Sequence, residues 1–225
     1  MTSVSAAVSR PSRDDLLLVG LLANTLVLGA LAYVAAAGIS VTQPRYALYG
    51  LAWILVGVLA VWKTDVAPTD RTTRRRAAAV AVGYAAVLAV AGGVLVTAAG
   101  QVPGGEWGVR IATLAPGWGP APVLSTPYAA VVLMPARVVG YLALAYLVYA
   151  TVIDAAGSAV SGLLGLLSCV SCSWPIVVSL LTGVVGGGSA VAAVAFDFSY
   201  DISTAVFLVT VGLLYWRPFG FRRGE

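Results

Sequence analysis

Apolar residues form six long stretches along the chain, separated by short polar or proline-rich segments. A helix needs about 20 apolar residues to cross the hydrocarbon core of a bilayer. The pattern therefore predicts an all-α fold, an integral membrane bundle of six transmembrane helices. The predicted spans cover residues 16–38, 46–62, 77–99, 135–152, 158–195 and 202–216.

The fifth of these stretches, residues 158–195, is too long for one straight span. It contains Pro175 and a run of three glycines at 186–188, and both features interrupt helices. A membrane tolerates a broken helix only where that helix packs against protein. We therefore predict a fifth helix that is broken or partly re-entrant, within a transmembrane domain that extends over residues 14–216.

The segment 100–127 connects the third and fourth predicted spans and is rich in proline. It also contains Trp107 and Trp118, and tryptophan favours the membrane–water interface. Because closely spaced prolines prevent a regular helix, we expect an ordered loop that lies on the outer face of the membrane. The alternative is a lid or a surface that docks a partner.

The composition supports the membrane class and excludes several kinds of site. Hydrophobic residues make up 60% of the 225 residues and charged residues only 10%, compared with about 25% charged in soluble domains. The chain contains no histidine, which excludes bis-histidine haem sites, zinc sites with histidine ligands and Ser-His-Asp triads. The one lysine, Lys63, lies beside a charged loop, so no buried lysine is available for a retinal Schiff base. We therefore expect no haem, retinal or flavin.

The basic residues predict how the bundle is oriented. With six spans and a cytoplasmic N-terminus, ten of the 13 basic residues lie on the inner side, as the positive-inside rule requires. These are Arg10, Arg13, Lys63, Arg71, Arg74, Arg75, Arg76, Arg217, Arg222 and Arg223. We predict a multi-pass protein of the cell membrane with both termini in the cytoplasm, a disordered N-terminus over residues 1–13 and a tail over 217–225.

The cluster at residues 71–76 has a second interpretation, as a patch for anionic lipid or nucleic acid. Arginines beside a span are mainly a topology signal, and we expect no nucleic-acid partner.

Charged groups at membrane depth are scarce, which disfavours a proton-coupled carrier. Asp154 lies near the inner end of the fourth span, and Asp197 and Asp201 lie in an outer loop. Arg137, near a helix end, is interpreted as reaching toward the lipid headgroups.

The most specific chemical feature is the pair Cys169 and Cys172, the only two cysteines in the chain. On a helix, residues three apart share a face, so both sulfurs could reach each other or one soft metal ion such as Cu(I). Ser171 or Ser173 could cap a helix that begins near Pro175, and the positive end of that helix would favour a thiolate. The alternative is that both cysteines pack as small apolar residues.

The cysteine segment resembles part of a known family. Residues 172–175, Cys-Ser-Trp-Pro, followed by Leu-Leu-Thr-Gly at 180–183, are similar to the cysteine-proline half-helix of the cytochrome-c-biogenesis and disulfide-reductase type of membrane electron carriers. The resemblance implies that paired cysteines carry reducing equivalents across the bilayer. However, that family's second cysteine comes from a distant span, which is absent here. The C-x-x-C is also similar to that of the vitamin-K-epoxide-reductase-like family. That family has a second cysteine pair in a loop, and this chain lacks it.

Taken whole, the chain resembles the small uncharacterised membrane proteins of haloarchaea, which are rich in alanine, valine and arginine and poor in lysine. That resemblance implies no established activity. Two functions remain open. The first is a non-enzymatic accessory protein that assists the assembly or support of a membrane complex, in which Cys169 and Cys172 form a soft-metal site or only pack. The second is a thiol–disulfide carrier, whose partner would be a thiol-redox protein.

Overall fold

The computed structural model describes residues 13–41, 43–97, 107–155 and 203–212, together with residues 201 and 214. These residues form five α-helices and one four-stranded β-sheet. In chain order the elements are α1 (Arg13–Ala37), α2 (Pro44–Trp62), α3 (Arg71–Ala91), β1 (Leu95–Thr97), β2 (Gly108–Ala112), β3 (Ala121–Ser125), β4 (Ala129–Val132), α4 (Pro135–Ala155) and α5 (Ser203–Gly212).

The predicted all-α fold of six transmembrane helices is wrong, because the fold is mixed α and β. The error begins in the third predicted span, 77–99, where α3 ends early, at Ala91. Gly92 caps the helix, and Gly93 takes a φ of +70°, a conformation that side-chain-bearing residues rarely adopt. The residues that follow are rich in β-branched side chains, and Leu95–Thr97 form β1.

The sheet is antiparallel throughout and has the strand order β1-β4-β3-β2. β2 and β3 lie within segment 100–127, so the loop conformation predicted there is wrong for these residues. Pro122 stands inside β3, where its carbonyl oxygen accepts a hydrogen bond from the Leu133 amide at 2.9 Å. Proline in the segment therefore prevents a helix but not a strand, because Pro122 is the second residue of β3 and precedes the part of the strand that is in register with β4, where its missing amide hydrogen is not needed.

The two faces of the sheet differ. Ala121, Val123 and Ala130 are buried, whereas Val109 and Ile111 on β2 are largely exposed. The buried face continues into a hydrophobic core formed mainly by α2, α4 and α5, with Trp53 and Leu147 among its buried members. α4 is central, because it packs against both α2 and α3.

Three helices, α1, α2 and α4, are long and apolar enough to cross a membrane. They coincide closely with the predicted spans 16–38, 46–62 and 135–152. α5 lies within the predicted span 202–216 but is shorter. The predicted broken span 158–195 lies outside the described residues.

Polar contacts between helix ends show that α1 runs opposite to α2 and that α3 runs opposite to α4. The Lys63 ammonium lies 3.1 Å from an Asp15 carboxylate oxygen, which joins the end of α2 to the start of α1. At the same level, the Arg74 Nε donates to the Tyr149 hydroxyl at 3.1 Å, which joins the start of α3 to α4. We call this the basic end of the bundle. The opposite end, where the sheet connects α3 to α4, is the sheet end.

Candidate functional site

Polar and aromatic side chains converge at the sheet end, where α2, α5 and the turn 115–119 meet. α2 supplies Arg45, Tyr49 and Trp53, which are spaced by four residues and therefore lie on one stripe of the helix. Arg45 is partly exposed and Trp53 is buried, with 4% of its surface exposed. The stripe thus leads from the surface into the core. We call this group, with Asp201 and the residues that contact Trp53, the sheet-end cluster; the contacting residues are Trp118, Tyr141, Thr204 and Phe207.

Asp201 lies two residues before α5 and accepts a hydrogen bond from the Tyr49 hydroxyl. Its other carboxylate oxygen lies 3.9 Å from a guanidinium nitrogen of Arg45. A carboxylate at the start of a helix is also favoured by the helix dipole. Arg45 in turn donates to the Tyr46 hydroxyl at 3.1 Å and lies over the Tyr46 ring, 4.9 Å from its centroid. The start of α5 is therefore joined to the start of α2 by two charged groups and a phenol.

Below these groups, Trp53 organises the apolar part of the cluster. Its ring is stacked on Phe207 of α5, with centroids 4.0 Å apart and an interplanar angle of 8°. Its indole N–H donates to the Thr204 hydroxyl at 3.2 Å, so its one polar atom is satisfied in the core. Trp118 and Tyr141 approach the ring from two further sides, with centroids 5.9 and 6.0 Å away. One tryptophan thus connects α2, α4, α5 and the turn that precedes β3.

The turn 115–119 fixes the sheet to α2. The Trp118 indole N–H donates to the Tyr46 carbonyl oxygen at 2.7 Å. Gly117 has a φ of +86°, and its carbonyl oxygen accepts a hydrogen bond from the Ala136 amide at 2.9 Å. On the other side of the turn, the Tyr33 hydroxyl of α1 donates to the Leu114 carbonyl oxygen at 3.1 Å.

Arg137 does not act as the sequence suggested. Its guanidinium donates to the Gly92 carbonyl oxygen at 2.7 Å. A cation at the last carbonyls of a helix is favourable because those groups are the negative end of the helix dipole. Arg137 of α4 is therefore a C-terminal cap of α3 rather than a side chain that extends to lipid headgroups.

The basic end is exposed and carries a helix cap of its own. Arg71, Arg74, Arg75 and Arg76 are exposed on the first turns of α3. The Asp70 carboxylate precedes them and accepts hydrogen bonds from the amides of Thr72 and Thr73 at 2.9 and 3.0 Å. Hydrogen bonds to Thr73, from its side chain and then its backbone, lower the pKa of Asp70.

The residues that the sequence singled out fall in different parts of the molecule. Cys169 and Cys172, the candidate redox and metal residues, lie outside the described residues, as does Asp197. In the part of the chain that the structure describes, no group of three or more histidine, cysteine, aspartate or glutamate side chains is arranged to bind a metal. Asp201 is the one flagged carboxylate that the structure places in the sheet-end cluster. Its contact with Tyr49 joins residues 152 apart in sequence, and no local motif could have predicted it.

The sheet-end cluster is built to hold helices together. Its carboxylate accepts a hydrogen bond from the Tyr49 phenol and lies 3.9 Å from the Arg45 guanidinium, and its aromatic rings are packed among three helices. Such an arrangement fixes α5 and the sheet against α2.

Comparison with known proteins identifies the family. A family model described as "Family of unknown function (DUF7546)" matches residues 1–221. The match covers nearly the whole chain, so the chain belongs to this family. No curated protein and no solved structure matches the chain.

Proposed function

We propose that this member of the DUF7546 family is a multi-pass protein of the cell membrane with a non-enzymatic accessory role. In this proposal the helices cross the bilayer, the basic end faces the cytoplasm and the sheet covers the outer end of the bundle. Both termini are cytoplasmic. The protein assists the assembly or support of a membrane complex, and its direct partners are the lipid bilayer and that complex.

The observation that carries the proposal is the separation of the basic end from the sheet end. Of the basic residues in the described part, six lie at the basic end and three lie at the sheet end. The six are Arg13, Lys63, Arg71, Arg74, Arg75 and Arg76. At the sheet end, Arg137 caps α3 and Arg45 is paired with Asp201, so both have partners within the fold. Because basic residues are concentrated in cytoplasmic segments, the basic end is the cytoplasmic one.

The accessory role is supported by what surrounds the sheet. Trp107 and Tyr128 are each 79% exposed, and both aromatic types favour the headgroup layer. Val109 and Ile111 of β2, the edge strand of the sheet that follows Trp107, also expose apolar side chains. Together with a cluster whose polar groups contact one another, these features support a protein that works through its surfaces rather than through a reaction.

The test of this topology is labelling of single cysteines in intact cells. In a chain with Cys169 and Cys172 replaced by serine, Tyr128→Cys places a thiol at the tip of the β3–β4 hairpin, and Thr69→Cys places one in the exposed connection before α3. A membrane-impermeant maleimide should label the first in intact cells and the second only after permeabilisation. Labelling of both positions from the same side would overturn the proposed orientation.

The cysteine pair supports a second candidate function, that of a thiol–disulfide carrier. Cys169 and Cys172 are the only cysteines and stand three residues apart. One thiolate would attack a partner's disulfide to form a mixed disulfide, and the other would resolve it. The partner is then reduced to two thiols, the Cys169–Cys172 pair is oxidised to a disulfide, and a second thiol protein must return two electrons.

Two measurements on the purified protein separate these roles. Replacing one cysteine by serine should trap a mixed disulfide with a partner, detectable by mass spectrometry, if the chain is a carrier. One Cu(I) per chain, lost in the double serine variant, would support a soft-metal site in an accessory protein. If neither is found, the carrier is excluded and the two cysteines only pack.

A further inference from the structure

α1 has a face that makes no contact with the rest of the described fold. The helix is 25 residues long, no residue in its most apolar window is fully buried, and its main contact with another helix is with α2. Two polar contacts fix how it is rotated. Asp15 is paired with Lys63 at one end, and Tyr33 is hydrogen-bonded to the Leu114 carbonyl at the other.

Asn24 lies on the opposite face, at the middle of the helix. Asp15 and Tyr33 are 18 residues apart in sequence, which is five turns of an α-helix, so both point toward the same side. Asn24 is nine residues from each of them, which is two and a half turns, and its side chain therefore points away from α2. The structure agrees, since Asn24 is exposed and its side chain makes no hydrogen bond with the residues that the structure describes.

The residues around Asn24 repeat with heptad spacing. The steps between them alternate between four and three residues, the repeat of a left-handed helix pair. The members are Leu17, Leu21, Asn24, Leu28, Leu31 and Ala35. The four leucines are 57–72% exposed. We call these six residues the α1 stripe.

A polar amide at this depth needs a partner. Near the midpoint of a helix that spans the membrane, Asn24 meets hydrocarbon, where an unsatisfied amide is costly. The neighbouring Thr25 is satisfied within its own helix, because its hydroxyl donates a hydrogen bond to the Leu21 carbonyl oxygen at 2.8 Å. The Asn24 side chain is a donor and an acceptor together, so two copies of it can satisfy each other across a two-fold axis.

We propose that the α1 stripe is a dimer interface, in which α1 pairs with α1 of a second copy of this chain and the two Asn24 side chains hydrogen-bond across the axis. The inference rests on the membrane placement proposed above. A second copy fits better than another occupant because the Asn24 amide is both donor and acceptor and is therefore complementary to its own copy, and because the heptad spacing of the α1 stripe is that of a parallel helix pair. Between lipid-exposed helices the hydrophobic effect gives no net attraction, so the amide pair and close packing must supply the association.

The first test measures association of the full chain in lipid vesicles by energy transfer between two fluorophores at increasing dilution. Asn24→Leu should weaken dimerisation by roughly 3- to 30-fold, since interhelical hydrogen bonds of this kind are modest. Asn24→Gln retains the amide and should stay close to the unmodified protein. Thr25→Val is the matched control, because it removes a polar group at the same depth that is already satisfied. Equal affinities for Asn24→Leu and Thr25→Val would overturn the proposal.

The second test locates the interface by oxidative cross-linking in membranes, again with Cys169 and Cys172 replaced by serine. Leu17→Cys lies on the stripe and Val19→Cys lies at nearly the same depth on the side facing α2. A disulfide-linked dimer is expected for the first variant only. Cross-linking of both would indicate random collision, and cross-linking of neither would indicate that lipid or residues 156–200 cover the stripe. Either result overturns the proposal.

The same membranes are also extracted with alkaline carbonate. This extraction distinguishes a failure of the dimer proposal from a failure of the proposed membrane placement. A chain that remains in the membrane but does not cross-link overturns the dimer alone. A chain that is released overturns both the membrane placement and the dimer.

Discussion

The backbones of Gly50 in α2 and Gly117 in the turn 115–119 meet directly, with no side chain between them. A Cβ added to Gly117 would lie 2.6 Å from the Gly50 carbonyl carbon, and one added to Gly50 would lie 2.9 Å from the Pro116 carbonyl oxygen. Both distances are shorter than van der Waals contact allows. This meeting lets the turn lie close enough to α2 for the Trp118 indole to reach the Tyr46 carbonyl.

Gly50→Ala should therefore destabilise the protein. The added methyl group is forced against backbone atoms that cannot rotate away, and overpacking of this kind costs about 1–3 kcal/mol. Gly83→Ala is the control in a neighbouring helix, since nothing lies within 4 Å of a Cβ there. It should be neutral or stabilise by up to about 1 kcal/mol. Thermal unfolding in detergent gives the comparison, and an equal loss in both variants would contradict the close approach.

Trp53→Ala should have a larger effect. The change removes the ring stacked on Phe207 and leaves the Thr204 hydroxyl without its donor. Replacement of a buried aromatic residue by alanine costs about 3–5 kcal/mol. Trp62→Ala at the end of the same helix is the control, because Trp62 is 52% exposed, and it should change stability by less than about 0.5 kcal/mol. Intact stability in the Trp53 variant would show that the aromatic cluster is not part of the core.

The hydrogen bond between Tyr49 and Asp201 should hold the start of α5 in place. Tyr49→Phe removes the donor and keeps the ring, so hydrogen exchange in α5 should become faster while exchange in α3 is unchanged. Asp201→Asn, made alone and with Tyr49→Phe, should show that the two effects are not additive, as expected for groups in contact. Arg45→Gln should affect α5 less, because its ion pair with Asp201 is long, at 3.9 Å, and partly exposed to solvent. Additive effects of the first two changes would mean that the contact does not form.

The Asp70 cap predicts an acid-sensitive start of α3. Hydrogen bonds in the folded protein lower the pKa of Asp70 below its ordinary value of about 3.9. The stabilisation is therefore fully present above the ordinary value and is lost as pH falls toward and through the lower folded-state pKa. Asp70→Asn keeps a capping oxygen without a charge, so its stability should lack this part of the pH dependence. Stability measured between pH 6 and 2 distinguishes the variants, and parallel curves would contradict the role of the charge.

The hydropathy pattern predicted α1, α2 and α4 well because each is a long apolar stretch between polar ends. It failed at the third span because apolarity alone does not separate a membrane helix from a buried strand. The local signals were present in the two glycines at 92–93 and the β-branched residues after them, and they were outweighed by the length of the apolar run. Pairing of β1 with β4 depends on residues more than 30 positions away, which no local window contains.

The sheet-end cluster was predictable only in part. Asp201 stood out as a carboxylate in an outer loop, but Tyr49 and Arg45 look like ordinary interface residues at the start of a span. Arg137 was flagged and its role was misassigned, because its acceptor is the backbone oxygen of Gly92, and every residue carries such an oxygen. Any residue can accept a hydrogen bond through its backbone oxygen, so the amino-acid sequence does not indicate which residue is the acceptor.

The strand order has a consequence for how the chain is made. β1 emerges directly after α3, but its partner β4 follows only after β2 and β3 have been synthesised. During translation the ribosome therefore delivers α3 with an unpaired strand attached, and the sheet can close only once Val132 has been synthesised. Arg137 follows five residues later and caps the waiting end of α3. A stall of translation before β4 is complete would therefore leave β1 open to pairing with a neighbouring chain.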